Sequence, residues 1–446
     1  ARNPGSHERV ILVVSAHGAG RNKRRVCRVQ VSSRYRARTA DGYLAELMAT
    51  FPAIMITGPR AAGKTTTAAQ TVAQVDRLDE PGMAALYRAD PDAALRRASL
   101  PLLIDEWQEV PEVLGAVKRW VDRGSSPGQF VLTGSVRAEP DNETWAGTGR
   151  VVGMDMYPLT EREVLGSTAN KDGSFLARLA HQGAESLTLP DTIPDIDGYI
   201  AAAVRGGFPE VAYRDLTRRQ QFIWLERYVN DLLTRDAAAY HRTKDPAKLR
   251  LYLNALSLHN AGLPSDATLY RSADINAKTA AEYDQLLRNL YVYDLVPAWS
   301  TNRIKRLTKT GKRYLVDTGL AAAAAGLTVE AVMSDAKLLG RWFDAFAVAQ
   351  LRPEVAQTHP RPALHHLRLE AGRRKIDLVV ELGPGRIVAL EFKAGSAPQS
   401  KDARHLAWLR DELGDRFIAG AVIHSGPGIY ELGERISAVP LCAMWG

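Results

Sequence analysis

Cysteine is almost missing: the 446 residues contain two, Cys27 and Cys442, near opposite ends of the chain. Two isolated thiols build neither a disulfide framework nor a cysteine-based metal site, which points to a reducing, cytoplasmic setting. Long hydrophobic runs are missing as well, since no apolar stretch approaches the ~20 residues needed to cross a bilayer. The run at 11–14 is too short for the core of a secretory signal, and the alanines at 321–325 are short and weakly hydrophobic. No membrane partner is therefore expected. Internal repeats are absent too.

What is present is a soluble globular composition, 46% hydrophobic and 24% charged, incompatible with wholesale disorder. At roughly 150 residues per domain the length suggests about three domains. The formal charge is +8, but it is unevenly spread. Residues 1–40 carry a net +9, residues 41–197 a net −9, residues 198–339 a net +6 and residues 340–446 a net +2. The basic segment 1–34 is expected to stand outside the folded body, as a tag or a disordered stretch.

Apolar runs at 53–57, 100–104 and 129–132 alternate with helical patterns, implying an α/β fold with a parallel sheet covered on both faces. Between the first run and its helix, Gly58-Pro59-Arg60-Ala61-Ala62-Gly63-Lys64-Thr65 fits the G-x-x-x-x-G-K-[ST] phosphate loop in its required strand-to-helix context. The glycines let backbone N–H groups face phosphates, and the helix start adds the positive end of its dipole. Gly58 to Thr66 are thus candidate ATP contacts. Lys64 neutralises the β and γ phosphates, and the Thr65 hydroxyl ligates Mg²⁺. The second run ends in Asp105-Glu106, with Asp105 a candidate for the Mg²⁺ shell and Glu106 for the general base. Thr133 and Ser135, at the end of the third run, are either γ-phosphate sensors or an ordinary strand-end cap. Arg150 is either a sensor or trans-acting arginine or an exposed structural one.

In order, GPRAAGKTT, LLIDEWQEVP, FVLTGS, Gly149-Arg150, MYPLTEREV, GGFPEV, ERYVNDLLTRD, YLVDTGL and GRWFDAF resemble a group of prokaryotic AAA-type P-loop ATPases. In that group a C-terminal domain of unknown function follows the ATPase. The resemblance runs over roughly residues 35–446. It implies a RecA/AAA-like ATPase domain at 35–197, a helical winged-helix domain at 198–339 and a PD-(D/E)xK nuclease-like α/β domain at 340–446. Residues 168–197 read as a linker. No single biochemical role attaches to the group.

Helical spacing at Leu225, Val229 and Leu232, and at Leu249, Leu253 and Leu256, precedes a helix over 272–290. Strand-like runs at 291–299 and 313–316 then enclose a basic turn. Helices followed by a basic hairpin suggest a winged helix. Arg303, Lys305, Arg306, Lys309, Lys312 and Arg313 are candidate contacts to a nucleic-acid backbone, with a solvated surface hairpin as the alternative. Asn276, Lys278 and Thr279 are weaker groove candidates, while Tyr291, Tyr293 and Trp299 read as core, and His365-His366 as structural.

Near the C-terminus, a hairpin loop centred on Pro384 would set Asp377 opposite Glu391, with Lys393 two residues further along the same face. A bulge at the glycines would shift that register. The three side chains are candidate catalytic groups, with Asp377 and Glu391 holding a second Mg²⁺ or Mn²⁺. The alternative is a salt bridge on a half-exposed hairpin. The pattern resembles the PD-(D/E)xK nucleases, which often add acids from a preceding helix. Here that helix has Asp344 and Gln350 at the matching positions.

Two functions are thus open. One is a DNA-associated, Mg²⁺-dependent ATPase with a nuclease-like module. The other is an ATP-driven switch whose inactive nuclease-like domain binds a protein partner, or a second copy in a homo-oligomer.

Overall fold

A computed structural model describes residues 35–135, 149–167, 174–237, 245–300, 310–369, 373–383 and 385–446. Residues 1–34 and the basic turn at 301–309 lie outside the described residues, so nothing is said of Arg303, Lys305, Arg306 or Lys309.

The first region is a five-stranded sheet of β1 (Ala53–Thr57), β2 (Gln74–Arg77), β3 (Leu102–Asp105), β4 (Phe130–Gly134) and β5 (Val152–Asp155). The order is β2-β3-β4-β1-β5 and every pairing is parallel. Strand alternation distributes the core: Ala53, Met55, Leu102, Ile104, Phe130 and Leu132 face helices Pro81–Ala89, Pro91–Arg97 and Val113–Asp122. Ile54, Ile56, Leu103 and Val131 face the other way, against helix Thr39–Thr50 and Ala68. Sequence periodicity misses β2 and β5. The QVDR of β2 forms an edge with one buried residue, and half of β5 is solvent-facing, so neither makes an apolar run.

Part of the expected linker is packed structure. Ser174 caps helix Phe175–His181, Phe175 and Leu176 are buried, and their amides donate to the Glu354 carboxylate at 3.1 and 2.7 Å. Next come helices Ile196–Arg205, Arg218–Asp231 (continuing as a π-helical turn, Leu232–Asp236), Pro246–Leu258, Asp266–Ser272 and Ala277–Asn289. The single helix expected at 272–290 is broken at Asp274, whose φ is +49°, and restarts under the Asn276 cap. β6 (Tyr293–Val296) and β7 (Lys312–Leu315) then pair antiparallel.

The last region places the 22-residue helix Ala336–Gln357 on a six-stranded sheet ordered β12-β13-β11-β10-β9-β8. Its strands are β8 (Ala363–Leu369), β9 (Arg374–Glu381), β10 (Ile387–Lys393), β11 (Phe417–His424), β12 (Tyr430–Gly433) and β13 (Ile436–Pro440). Helix Arg404–Leu413 covers the opposite face through Leu406 and Leu409. One core runs without a break from Phe175 to Trp445, so the 339/340 boundary separates no cores. Among the described residues no helix is long and apolar enough to cross a membrane.

Candidate functional site

The phosphate loop leaves β1 through residues whose backbone dictates their identity. Gly58 has φ +149°, and a Cβ there would lie 2.0 Å from the Met156 carbonyl oxygen. Gly63, at φ +95°, starts the short helix Lys64–Ala68. Lys64 is buried and donates to the Gly58 and Pro59 carbonyls at 2.9 and 2.8 Å. Burial, against the pull of Glu106 and Asp105, brings its ammonium down to about 8.

Parallel strand order brings the acidic strand end to this loop. Thr65 Oγ1 donates to Asp105 Oδ1 at 2.7 Å, and Thr133 Oγ1 donates to the same oxygen. Burial raises the Asp105 carboxyl, partly offset by the two hydroxyls. Glu106, in the left-handed region at φ +54°, accepts from Ser135 Oγ at 3.2 Å and from the Gln108 amide. Arg60 Nε reaches Ser135 Oγ at 3.4 Å. Thr66 is exposed beside the loop. The loop, Asp105, Glu106, Thr133 and Ser135 therefore form one cluster. Arg150 stands apart. Because β5 runs parallel to β1 with Val152 beside Ile54, Arg150 precedes β5 at the far end of the sheet. There it pairs with Asp122 at 2.8 Å in an exposed position, away from its own phosphate loop.

Two features of this site escape sequence reading. Arg38 is buried, its Nε donating to Glu163 Oε1 at 2.7 Å, while Nη1 reaches the Ala62 carbonyl of the loop at 3.0 Å. Glu163 lies in the MYPLTEREV segment, where Thr160 completes a capping box with it. The second feature is a cavity of about 650 Å³ between the loop and helix Arg218–Asp231, lined by Ala61, Glu106, Trp224, Arg227 and Tyr228. Trp224 and Tyr228 stack with centroids 5.5 Å apart.

The chain matches the AAA domain family over residues 50–165, and two domains of unknown function, DUF8612 over 196–331 and DUF4143 over 339–444. The uncharacterized protein Rv2008c of Mycobacterium tuberculosis is 30% identical over 397 residues, which is 87% of this chain and 80% of that protein. The uncharacterized protein Mb2031c of Mycobacterium bovis matches to the same extent. The chain belongs to this family of AAA-domain proteins. Residues 50–165 are its P-loop ATPase domain of the AAA type. Among solved structures, the Walker-type ATPase PABY2304 of Pyrococcus abyssi aligns with 64% of this chain and 94% of its own. The TM-score is 0.36 at 13% identity, too low to equate the two folds.

In the AAA-domain protein's C-terminal region, the β9–β10 register follows the expected rule as far as Leu378 opposite Leu390. At the next pair, Asp377 and Glu391, the ladder has ended, and the Phe392 N–H donates instead to Asp377 Oδ2 at 3.2 Å. Around this point three carboxylates meet three lysines. Lys393 Nζ lies 3.0 Å and Lys375 Nζ 3.5 Å from Glu391 Oε1. Lys312 Nζ, from β7, is 2.5 Å from Asp344 Oδ2 and 3.8 Å from Asp377 Oδ1. Tyr314 donates its hydroxyl to Asp344 Oδ1 at 2.9 Å. Burial and then the Asp377 charge lift the Glu391 carboxyl to about 7. Burial would raise Asp377 too, but Lys312 and Lys375 hold it below its ordinary value. Burial likewise lifts Asp344 to about 7 against the pull of Lys312.

Asp344 therefore does reach the Asp377–Glu391 site, whereas Gln350 does not. Gln350 Oε1 accepts from the Glu161 N–H at 2.7 Å, where the long helix meets the ATPase domain. Among the described residues no three His, Cys, Asp or Glu side chains form a metal-ligand group.

Lys312 and Arg313 differ from the expectation of a phosphate-facing hairpin. Both are buried, Lys312 in the cluster just described and Arg313 against Asp266 at 2.7 Å and Asp284 at 3.4 Å. β7 is buried on both faces, so these neighbours, which point to opposite sides of the strand, are both enclosed, and each side supplies carboxylates that stabilise a buried cation. Tyr291, Tyr293 and Trp299 are buried as read, and His366 bonds the Thr310 carbonyl at 3.0 Å.

Proposed function

We propose that this protein binds and hydrolyses ATP with Mg²⁺ and does so in association with DNA. The carrying observation is the convergence of Lys64, Thr65, Asp105, Thr133 and Glu106 at one strand-loop-helix junction. The donor set suits a polyphosphate and its metal: an ammonium, N–H groups of a turn bounded by Gly58 and Gly63, and a hydroxyl beside a carboxylate. Thr65 and Asp105 would hold Mg²⁺, which when bound supplies charge neutralisation at the β and γ phosphates. Lys64 exchanges its loop carbonyls for phosphate oxygens. Glu106, positioned by Ser135 and Gln108, takes the proton of the attacking water, and Thr133 orients Asp105. Lys64→Ala should abolish nucleotide binding. Glu106→Gln should preserve binding and lower turnover by about 10²–10³-fold. Turnover that survived both substitutions would refute the assignment.

The DNA association is supported by three consecutive helices, Pro246–Leu258, Asp266–Ser272 and Ala277–Asn289, followed by the β6–β7 hairpin, an order that fits a winged helix. Lys278 is exposed at the start of the third helix. Replacing Arg303, Lys305, Arg306 and Lys309 by alanine should weaken DNA binding and flatten its salt dependence, by about 0.9 in log–log slope per lost phosphate contact. An unchanged slope would remove this turn from the interface.

The switch reading, in which a non-cleaving nuclease-like domain serves as a partner surface, is favoured by one observation. Three lysines balance the three carboxylates where a nuclease would hold a metal.

A further inference from the structure

A second group of cations gathers where the helical region meets the C-terminal sheet. A cavity of about 490 Å³ opens there, with Lys337, Arg341, Arg368 and Lys375 on its walls. These four come in two pairs that set like charges side by side. Arg368 on β8 lies directly opposite Lys375 on β9, and cations so opposed on paired strands repel. Lys337 and Arg341 stand about one turn apart on the long helix, where like charges repel as well. Lys375 has Glu391 at 3.5 Å, but Lys337, Arg341 and Arg368 make no ion pair among the described residues. Asp335, the acid at the start of that helix, is taken up in accepting from the Lys337 and Leu338 N–H groups. Arg341 Nε is buried and has no hydrogen-bond partner. The acids on the cavity wall, Asp344 and Asp377, already share Lys312, at 2.5 and 3.8 Å. His366, also on the wall, is kept neutral by burial, which brings it down to about 4.

We propose that this cavity is a second anion site, in which Arg341, Arg368, Lys337 and Lys375 take up a phosphate group without a metal ion. Two guanidinium forks and two ammonium groups from facing elements are the donors that a phosphate dianion accepts from best. The anion gives the orphaned Arg341 Nε an acceptor and turns both like-charge pairs from a cost into a shared attraction. Lys312 stays where it is, and by neutralising Asp344 and Asp377 it keeps them from repelling the occupant. Small-molecule pockets span about 300–1,000 Å³, so the cavity has room for a phosphate with an organic group attached. Leu263 and Phe392 on the wall offer that group apolar contact. The wall runs from Ala261 and Gly262 in the helical region to β8 and β9, so an occupant touches both domains of unknown function and holds them together. The site is separate from the phosphate loop and stands independently of the nuclease-like reading.

The test uses the full chain carrying Lys64→Ala, which silences the phosphate loop, in metal-free buffer with inorganic phosphate as the probe and calorimetric titration as the readout. One phosphate should bind per chain, and Arg341→Gln together with Arg368→Gln should weaken it at least about tenfold. Lys401→Gln, which removes an exposed cation elsewhere, should leave it unchanged. Absence of binding, or binding that the double substitution leaves intact, overturns the proposal. Thermal unfolding gives a second readout. Without phosphate, Arg368→Gln should unfold at the same temperature as its parent or higher, because a repulsion opposite Lys375 is gone; added phosphate should reverse that order. A parent that phosphate stabilises no more than Arg368→Gln also overturns the proposal. The source of the phosphate is read with a terminally phosphorylated oligonucleotide and its hydroxyl-ended counterpart. If the phosphorylated strand binds more tightly than both its counterpart and inorganic phosphate, and loses that advantage in the double variant, the site takes a nucleic-acid end. If it has no such advantage, the site takes small phosphorylated compounds. Either result upholds the anion site.

Discussion

The Tyr228 hydroxyl donates to the Arg60 carbonyl at 3.2 Å, tying helix Arg218–Asp231 directly to the phosphate loop. The cavity beside the phosphate loop thus has a wall contributed from outside the AAA domain. Tyr228→Phe removes one hydrogen bond worth about 1 kcal/mol and should weaken ATP binding about fivefold, read by titration calorimetry. Unchanged affinity would mean that the loop holds its shape without this anchor.

Arg38 links the loop to Glu163 in a buried pair. Arg38→Ala should destabilise the fold by about 3–5 kcal/mol, because the Glu163 charge is left uncompensated. Burial raises the Glu163 carboxyl, but Arg38 and the Thr160 and Thr39 amides more than reverse this and hold it below its ordinary 4.5. Its contribution to stability is therefore complete above that value and is lost as pH falls through the lower folded value. In urea unfolding between pH 7 and pH 3, Glu163→Gln should be less stable than wild type near neutrality and should lose less on acidification.

Lys64 offers a pH signature of phosphate contact. With its ammonium near 8 in the nucleotide-free protein, most molecules have a neutral Lys64 at pH 9, and a bound polyphosphate restores the proton. Calorimetry in buffers of different ionisation enthalpy should show uptake approaching one proton at pH 9 and little at pH 7. Equal uptake at both would place Lys64 away from the phosphates.

Two glycines make a paired test of packing. A Cβ at Gly207 would stand 2.1 Å from the Leu159 carbonyl oxygen. Gly207 is fixed on both sides, its N–H donating to Asp317 and its carbonyl accepting from the Leu159 N–H, each at 2.7 Å. Gly207→Ala should cost more than about 3 kcal/mol. At Gly340, exposed in the long helix, nothing lies within 4 Å of an added Cβ, and Gly340→Ala should stabilise by about 0.5–1 kcal/mol. Thermal unfolding of the two variants decides both.

The ATPase centre was legible in the sequence because its chemistry is local. Gly58 to Thr65 are contiguous, and the buried runs ending in Asp105 and Thr133 announce themselves as strands. The β9–β10 register was legible for the same reason, since one short turn sets it. Arg38, Tyr228 and Lys312 were not, because each acts on residues far along the chain: 125 positions separate Arg38 from Glu163 and 168 separate Tyr228 from Arg60. Lys312 shows the point most sharply. Its basic neighbours suggest a solvent-facing hairpin, and only the tertiary placement of Asp344 and Asp377 turns it inward.

The core that runs from Phe175 to Trp445 constrains how this protein can change over time. Tyr199 sits edge-on to both Phe343 and Trp445, with ring centroids 5.9 Å away in each case, and its hydroxyl accepts from the Cys442 N–H at 3.2 Å. The last hundred residues are therefore not a cassette that recombination can exchange. A replacement would have to reproduce the surface that closes over Tyr199, or leave apolar side chains in water. Drift in one half must be answered in the other, and the two domains of unknown function are bound to evolve as a single unit.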